Sequence, residues 1–238
     1  MTHSILPLTL DGAIARVRGK TLVGPVDLQI GETGLTIVMG PNGSGKTTLL
    51  RLMHGLQRVS AGRVDWAVAD GVARGRQAYV FQSPIMMRRK VVDNIAYPLI
   101  LHGMPHRQAR STAADWAARF GLGDALERPA PYLSGGEKQK LALSRALICQ
   151  PEILFLDEPC ANLDGRAIRE IETILKQAQA DGTRIVMATH DMGQARRLAT
   201  DVVFMYGGKV HETAPAPTFF NQPETAEARA FINGDIVE

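Results

Sequence analysis

Four short runs, Leu35–Met39 and residues 153–156, 185–188 and 202–205, are apolar almost without interruption. A strand with one wet face alternates apolar and polar positions, so runs this continuous predict strands covered on both sides, as in a mainly parallel sheet flanked by helices. Upstream, Val26, Leu28 and Ile30 alternate with Asp27, Gln29 and Gly31, the period-two pattern of an antiparallel strand with one exposed face. The expected class is α/β, a mainly parallel sheet preceded by a smaller antiparallel β layer.

Between Gln82 and Leu133 the strand signals vanish, and residues 106–120, rich in Ala and Arg, place small or apolar side chains at helical spacing. Pro84 on one side and Pro129 and Pro131 on the other punctuate the edges of this stretch, as where a subdomain leaves and rejoins a sheet. One domain is therefore expected over residues 1–238, with its core in 1–82 and 150–238 and a helical subdomain at about 83–149. Gly207-Gly208 is expected to turn a hairpin between residues 202–205 and Val210-His211. The roughly 30 residues beyond it are too few for an appended regulatory domain.

Composition narrows the classes. The 238 residues are 45% hydrophobic and 21% charged, enough to bury a large core and unlike a disordered chain. The best membrane-spanning candidate, Val91–Leu101, is broken by Asp93, Asn94 and Pro98. Met1 to Leu10 lack the basic and apolar segments of a secretion signal, which points to the cytoplasm. Two cysteines, Cys149 and Cys160, are too few for a disulfide framework and lack metal-ligand spacing, so both read as small packed residues. The formal charge is +3, and the densest basic run, Arg88-Arg89-Lys90, is a short surface turn that does not argue for nucleic acid.

Three motifs carry chemistry. Gly40-Pro41-Asn42-Gly43-Ser44-Gly45-Lys46-Thr47 fits the phosphate-loop pattern, follows the apolar run Leu35–Met39 and opens a helical pattern over residues 47–53, with Thr48 next in line and Gly55 as the stop. Its glycines let backbone N–H groups turn inward as an anion nest, Lys46 reaches the β and γ phosphates, and the Thr47 hydroxyl suits Mg²⁺. A plain glycine-rich turn is the simpler reading, against which the Lys-Thr pair and the strand and helix flanks weigh. Further on, residues 153–156 end in Asp157-Glu158-Pro159, placing two carboxylates at the C-terminal end of a buried strand, where open α/β sheets bind ligands. Asp157 is suited to hold Mg²⁺ and Glu158 to polarise an attacking water. Third, Leu133-Ser134-Gly135-Gly136-Glu137 precedes a helical pattern with Leu141, Ser144, Arg145 and Ile148 on one face. Ser134 and Glu137 fit a capping box, and the same helix start, bare of Cβ atoms at Gly135 and Gly136, offers a second anion site.

Together these motifs resemble the ATP-binding cassette family, in which the helix-start signature accompanies the phosphate loop; the resemblance covers roughly residues 5 to 235. It implies a phosphate-loop NTPase core with ATP and Mg²⁺ as cofactors and hydrolysis of ATP to ADP and phosphate. It further implies that Gln82, after the strand Tyr79-Val80-Phe81, senses Mg²⁺ and the γ-phosphate, and that His190 contacts that phosphate. Asp164, in Ala161-Asn162-Leu163-Asp164, would belong to a loop crossing to a second copy of the cassette, whose Ser134 and Gly136 would face Lys46 across the nucleotide. One departure stands out: Val17, between Arg16 and Arg18, falls where importers of the family usually stack an aromatic on adenine. Cys160 falls where the family often has Ser or Thr.

With no spanning segment of its own, the chain is expected to act at the inner face of the cell membrane through transmembrane permease subunits and, in an importer, an extracytoplasmic substrate-binding protein. Met86-Met87-Arg88-Arg89 and Val92-Asp93-Asn94-Ile95 are candidates for the permease-docking face, or equally for the core of the insertion. The resemblance is to importers of small oxyanions such as tungstate, molybdate or phosphate. The rival classes are a soluble cassette ATPase of repair, translation or iron–sulfur assembly, which generally shows a long coiled coil or two cassettes, and a nucleotide switch, which has no need of Glu158 and His190.

Overall fold

The structure, a computed structural model, describes residues 3–235; the outermost residues of the expected domain, 1–2 and 236–238, lie outside it. Two antiparallel strands, β1 (Leu8–Val17) and β2 (Lys20–Ile30), open the chain, and β3 (Leu35–Met39) runs into α1 (Lys46–His54). Next come β4 (Ala61–Trp66), α2 (Asp70–Arg74) and β5 (Gln77–Val80). The insertion contributes α3 (Val91–Leu101), α4 (His106–Ala117) and α5 (Gly135–Leu147), with short 3₁₀ turns between the last two. The chain then returns to the sheet with β6 (Ile153–Asp157), α6 (Gly165–Ala180), β7 (Arg184–Ala188), α7 (Met192–Leu198) and β8 (Asp201–Tyr206). β9 (Lys209–Pro215), α8 (Ala216–Asn221) and α9 (Ala226–Asn233) finish it.

The larger sheet has the order β5-β6-β7-β3-β8-β9, parallel except for β9, which returns antiparallel through Gly207-Gly208 as a hairpin. Continuous apolar runs are explained by its two covers. Leu35, Ile37, Met39, Leu154, Leu156, Met187 and Phe204 face one core with the insertion and α6. Their neighbours Val38, Ile153, Phe155, Val186, Val203 and Met205 face a second core, shared with α1 and the antiparallel layer. Successive side chains of a strand point to opposite faces, so a strand buried on both keeps few polar positions; Thr36 of β3, fully buried, bonds to Asp201 and Arg184.

That antiparallel layer has three strands in the order β2-β1-β4. The sequence pattern foretells only part of β2. β1 is interrupted by register shifts, and β4 keeps its first three residues exposed, so neither yields a clean period of two. The insertion is helical as expected. In α4, Ala109, Ala113 and Ala117 recur at four-residue spacing and are fully buried, a small-residue stripe packed into the first core. The strand expected at Tyr79-Val80-Phe81 ends at Val80, and Phe81 lies outside it with 38% of its surface exposed. Val92, Asn94 and Ile95 are buried, and Asn94 bonds to the backbone of Met87, Arg89 and Lys90, so this segment belongs to the interior of the insertion and not to a docking face.

His54 ends α1 with its ring edge-on to Tyr79 and Phe155, at centroid distances of 5.4 and 5.7 Å. Burial pushes its pKa down to about 4 from an ordinary value of 6.5. The unfolded chain therefore takes up this proton at higher pH than the folded one. Its contribution to stability is complete above pH 6.5 and is lost as pH falls toward about 4. His54→Phe, which keeps a ring and removes the titration, should flatten the fall in urea midpoint across that window; curves that fall in parallel for the two proteins would contradict this account.

Candidate functional site

The loop between β3 and α1 is fixed from below. Gly40 has φ of 146°, and a Cβ there would lie 2.1 Å from the Met205 carbonyl oxygen at the end of β8, so no side chain fits. Ser44 N–H donates to Pro41 O at 3.2 Å, and the Lys46 ammonium donates to Gly40 O at 2.9 Å and Pro41 O at 3.0 Å. Lys46 is only 6% exposed; burial pushes its pKa down, while the carboxylates of Glu158 and Asp157 pull it back up. Asn42, Gly43, Gly45, Lys46, Thr47, Thr48 and Glu158 line a cavity of about 240 Å³ at the start of α1, where backbone N–H groups and the helix dipole favour an anion.

Asp157, at the end of β6, accepts the Thr47 hydroxyl on Oδ1 at 2.8 Å and the Tyr79 hydroxyl on Oδ2 at 3.3 Å. Glu158 follows in the left-handed region, φ 47°, a conformation costing a non-glycine residue on the order of 1 to 2 kcal/mol. Its amide donates to Ala188 O at 3.0 Å, which ties the turn to the end of β7. That turn aims the carboxylate at the cavity, where Oε2 lies 3.1 Å from His190 Nδ1 and 3.5 Å from Gln82 Nε2. Thus Lys46, Thr47, Gln82, Asp157, Glu158 and His190, spread over four segments in sequence, converge at the C-terminal ends of β3, β5, β6 and β7. Gln82 contacts Glu158, whereas Thr47 contacts Asp157. Neither the left-handed turn at Glu158 nor the Tyr79 contact has a signal in the sequence.

Ser134, Gly135 and Gly136 lie elsewhere. Ser134 caps α5 with the foreseen box: Glu137 N–H donates to Ser134 Oγ at 3.3 Å, and Ser134 N–H to Glu137 Oε2 at 2.8 Å. These bonds, the backbone one foremost, and the Arg128 guanidinium hold the Glu137 carboxyl below its ordinary pKa. A Cβ on Gly136 would lie 2.9 Å from the Cβ of Ala167, so the close approach of α5 to α6 also demands glycine there. With Asn162, Leu163 and Asp164, which caps α6 by accepting Ala167 N–H at 2.8 Å, these residues line a separate cavity of about 330 Å³. Cys160 packs against the first core, and burial pushes its thiol up to about 11, so it is a packed residue and a poor nucleophile. Val17 is exposed at the edge of the antiparallel layer.

Thr47 and Asp157 supply hard oxygen donors beside a phosphate-directed loop, a set that fits Mg²⁺ held partly by protein and partly by substrate phosphates. Among the described residues no cluster of three or more His, Cys, Asp or Glu is placed to hold a metal alone.

Comparison with known proteins agrees with this arrangement. The family model described as "ABC transporter" matches residues 23–161. The phosphate import ATP-binding protein PstB 2 of Natronomonas pharaonis is 34% identical over 97% of this chain and 87% of its own length. The tungstate uptake system ATP-binding protein TupC of Peptoclostridium acidaminophilum is 36% identical over 87% of this chain and 98% of its own. Other relatives are named for import of methionine and nickel, and this chain spans 62% of the methionine protein. The structure of cbiO1 from Clostridium perfringens, described as part of the ABC transporter complex cbiONQ, superposes with a TM-score of 0.80 over 91% of both chains at 25% identity. The chain belongs to the ABC transporter family. It is an ATP-binding ATPase of that family.

Because Ser134 satisfies a helix-start amide in the folded chain, Ser134→Ala should lower stability by about 1 kcal/mol, or roughly 2 to 4 °C in a chain of this size. Thermal unfolding checks this, and an unchanged midpoint would mean the cap contributes nothing.

Proposed function

We propose that the chain is the ATP-hydrolysing subunit of an importer, and that two copies close on ATP with Lys46 of one facing Ser134 and Gly136 of the other. The observation that carries this reading is the separation of the two anion-directed helix starts. In a single chain the phosphate loop and the Ser134-Gly135-Gly136 turn line different cavities, and both Ser134 and Gly135 are exposed. A triphosphate carries more charge than one loop neutralises, so a second helix start brought over it supplies the missing dipole and N–H donors. Asp164, beside that second cavity, is then placed at the contact between copies.

In this site the phosphate loop and Lys46 hold and orient the triphosphate. Thr47 and Asp157 would hold Mg²⁺, whose charge offsets that of the phosphate oxygens. Glu158 accepts a proton from the attacking water as the water oxygen bonds to the γ-phosphorus and the bond to the ADP oxygen breaks. His190 and Gln82, both within reach of the same Glu158 oxygen, orient that carboxylate and the terminal phosphate.

A groove of about 420 Å³ lined by Phe81, Pro84, Ile85, Met87, Tyr97 and Arg145 opens between the core and the insertion, directly after Gln82. Ile85 is 73% exposed there, and Arg145 Nη1 donates to its carbonyl at 3.0 Å. This apolar groove suits a permease segment, and Gln82 links it to Glu158. Among the described residues no helix is long and apolar enough to cross a membrane. In the importer reading a permease supplies the membrane path, and this chain sits peripherally at its cytoplasmic face. The phosphate and tungstate relatives support an oxyanion as cargo, delivered by an extracytoplasmic binding protein. The methionine and nickel relatives favour a cargo set by those other subunits.

Glu158→Gln should lower turnover by about 10²- to 10⁴-fold while retaining ATP, and should accumulate as a closed dimer on size exclusion with ATP. Normal turnover would remove Glu158 as the base, and a monomer under those conditions would remove the two-copy clamp. Lys46→Ala should weaken ATP binding itself by roughly 10- to 100-fold, the worth of one charge-assisted contact, as read by equilibrium titration; undiminished affinity would contradict the loop assignment.

A further inference from the structure

Tyr79 belongs to none of the motifs, yet its side chain reaches the centre of the site. It sits on β5 opposite Phe155 of β6, one residue before the strand's end, and its ring is held on several sides by His54, Phe81 and Phe155, at centroid distances of 5.4, 4.7 and 6.5 Å. Phenylalanine would fill that slot equally well. What tyrosine adds is the hydroxyl, which emerges from the aromatic cluster and lies 3.3 Å from Asp157 Oδ2.

The chemistry of the pair gives the contact its direction. An ionised carboxylate only accepts, so the single O–H proton of the phenol points to Asp157. Asp157 Oδ1 meanwhile accepts from Thr47 at 2.8 Å. The terminal torsion of an aspartate is broad, so a carboxylate bonded on one oxygen alone rocks about its axis. With one donor on each oxygen, from β5 on one side and α1 on the other, the plane of this one is set. A phenol does this without adding charge, so the carboxylate keeps its full negative charge for a cation.

We infer that Tyr79 is a positioning residue for the metal-side carboxylate: its hydroxyl holds Oδ2 of Asp157 so that Oδ1 stays presented beside Thr47. The inference rests on the proposed roles of Asp157 and Thr47 in holding Mg²⁺, and predicts that loss of the hydroxyl is felt in metal response and not in nucleotide binding as such. Partners of this kind, one shell out from a metal, are typically worth 10- to 100-fold in metal affinity.

The test uses the full chain and a fluorescent ATP analogue, titrated in EDTA and again at graded Mg²⁺, for the unaltered protein, Tyr79→Phe and Asp157→Asn, with thermal unfolding of each alongside. Tyr79→Phe should unfold like the parent, bind nucleotide in EDTA with the parent's affinity and require about tenfold more Mg²⁺ for half of the metal-dependent signal. An unchanged Mg²⁺ requirement, with Asp157→Asn impaired, overturns the inference and leaves the Asp157 assignment standing. Equal losses in EDTA and in Mg²⁺ also overturn it, since they assign Tyr79 to the shape of the pocket. If Asp157→Asn responds to Mg²⁺ as the parent does, the assignment of Asp157 fails and this inference falls with it.

Discussion

Burial of the six-stranded sheet on both faces is the constraint from which the site follows. The central strands keep few polar side chains, Thr36 and Arg184 being a mutually bonded exception, so the groups of the site are delivered at or near where the strands stop. The two cores meet on either side of the same strands, with Met39 in one and Val38 in the other, and the chain leaves the sheet directly beyond them into the phosphate loop. The same holds at Asp157, the last residue of β6, and at Thr189 and His190 after β7. Catalytic geometry is thereby set by strand register: Leu156 pairs with Met187 and Asp157 with Ala188, which fixes how far Glu158 stands from His190.

What the sequence made legible is what depends on neighbours a few residues apart. Four buried strands, the start of α1 to within one residue (expected at Thr47, found at Lys46), the capping box of α5 and the hairpin at Gly207-Gly208 are all local patterns. β1 and β4 escaped because they are half exposed and irregular in register, and the chain gives no clean alternation where a bulge resets the count. Val92 and Ile95 were open to two readings because an apolar pair on a helix looks the same whether it faces a partner or a core; the stripe of Ala109, Ala113 and Ala117 helps to decide it by filling the interior around them.

Long-range contacts were legible only in part. The resemblance placed Gln82, Glu158 and His190 together, but their shared oxygen, and the left-handed turn at Glu158 held by Ala188 O, depend on β7 standing beside β6. Tyr79 and Asp157 are 78 residues apart and meet only because β5 pairs with β6. No spacing rule reports such a pair. The resemblance implied that Ser134 faces Lys46 from a second copy, but the two separate cavities within one chain, and the packing of α5 on α6 beside one of them, have no local signal.

The bonds from Lys46 to Gly40 O and Pro41 O bear on which cation the loop can use. An ammonium has three protons in a tetrahedral spread; two reach back to carbonyls and one is left to point forward at an oxyanion. A guanidinium has more protons but fans them in a single plane, so it could not splint the loop behind and grip a phosphate ahead at the same time. Arginine, although it keeps the charge, is for this loop the wrong shape.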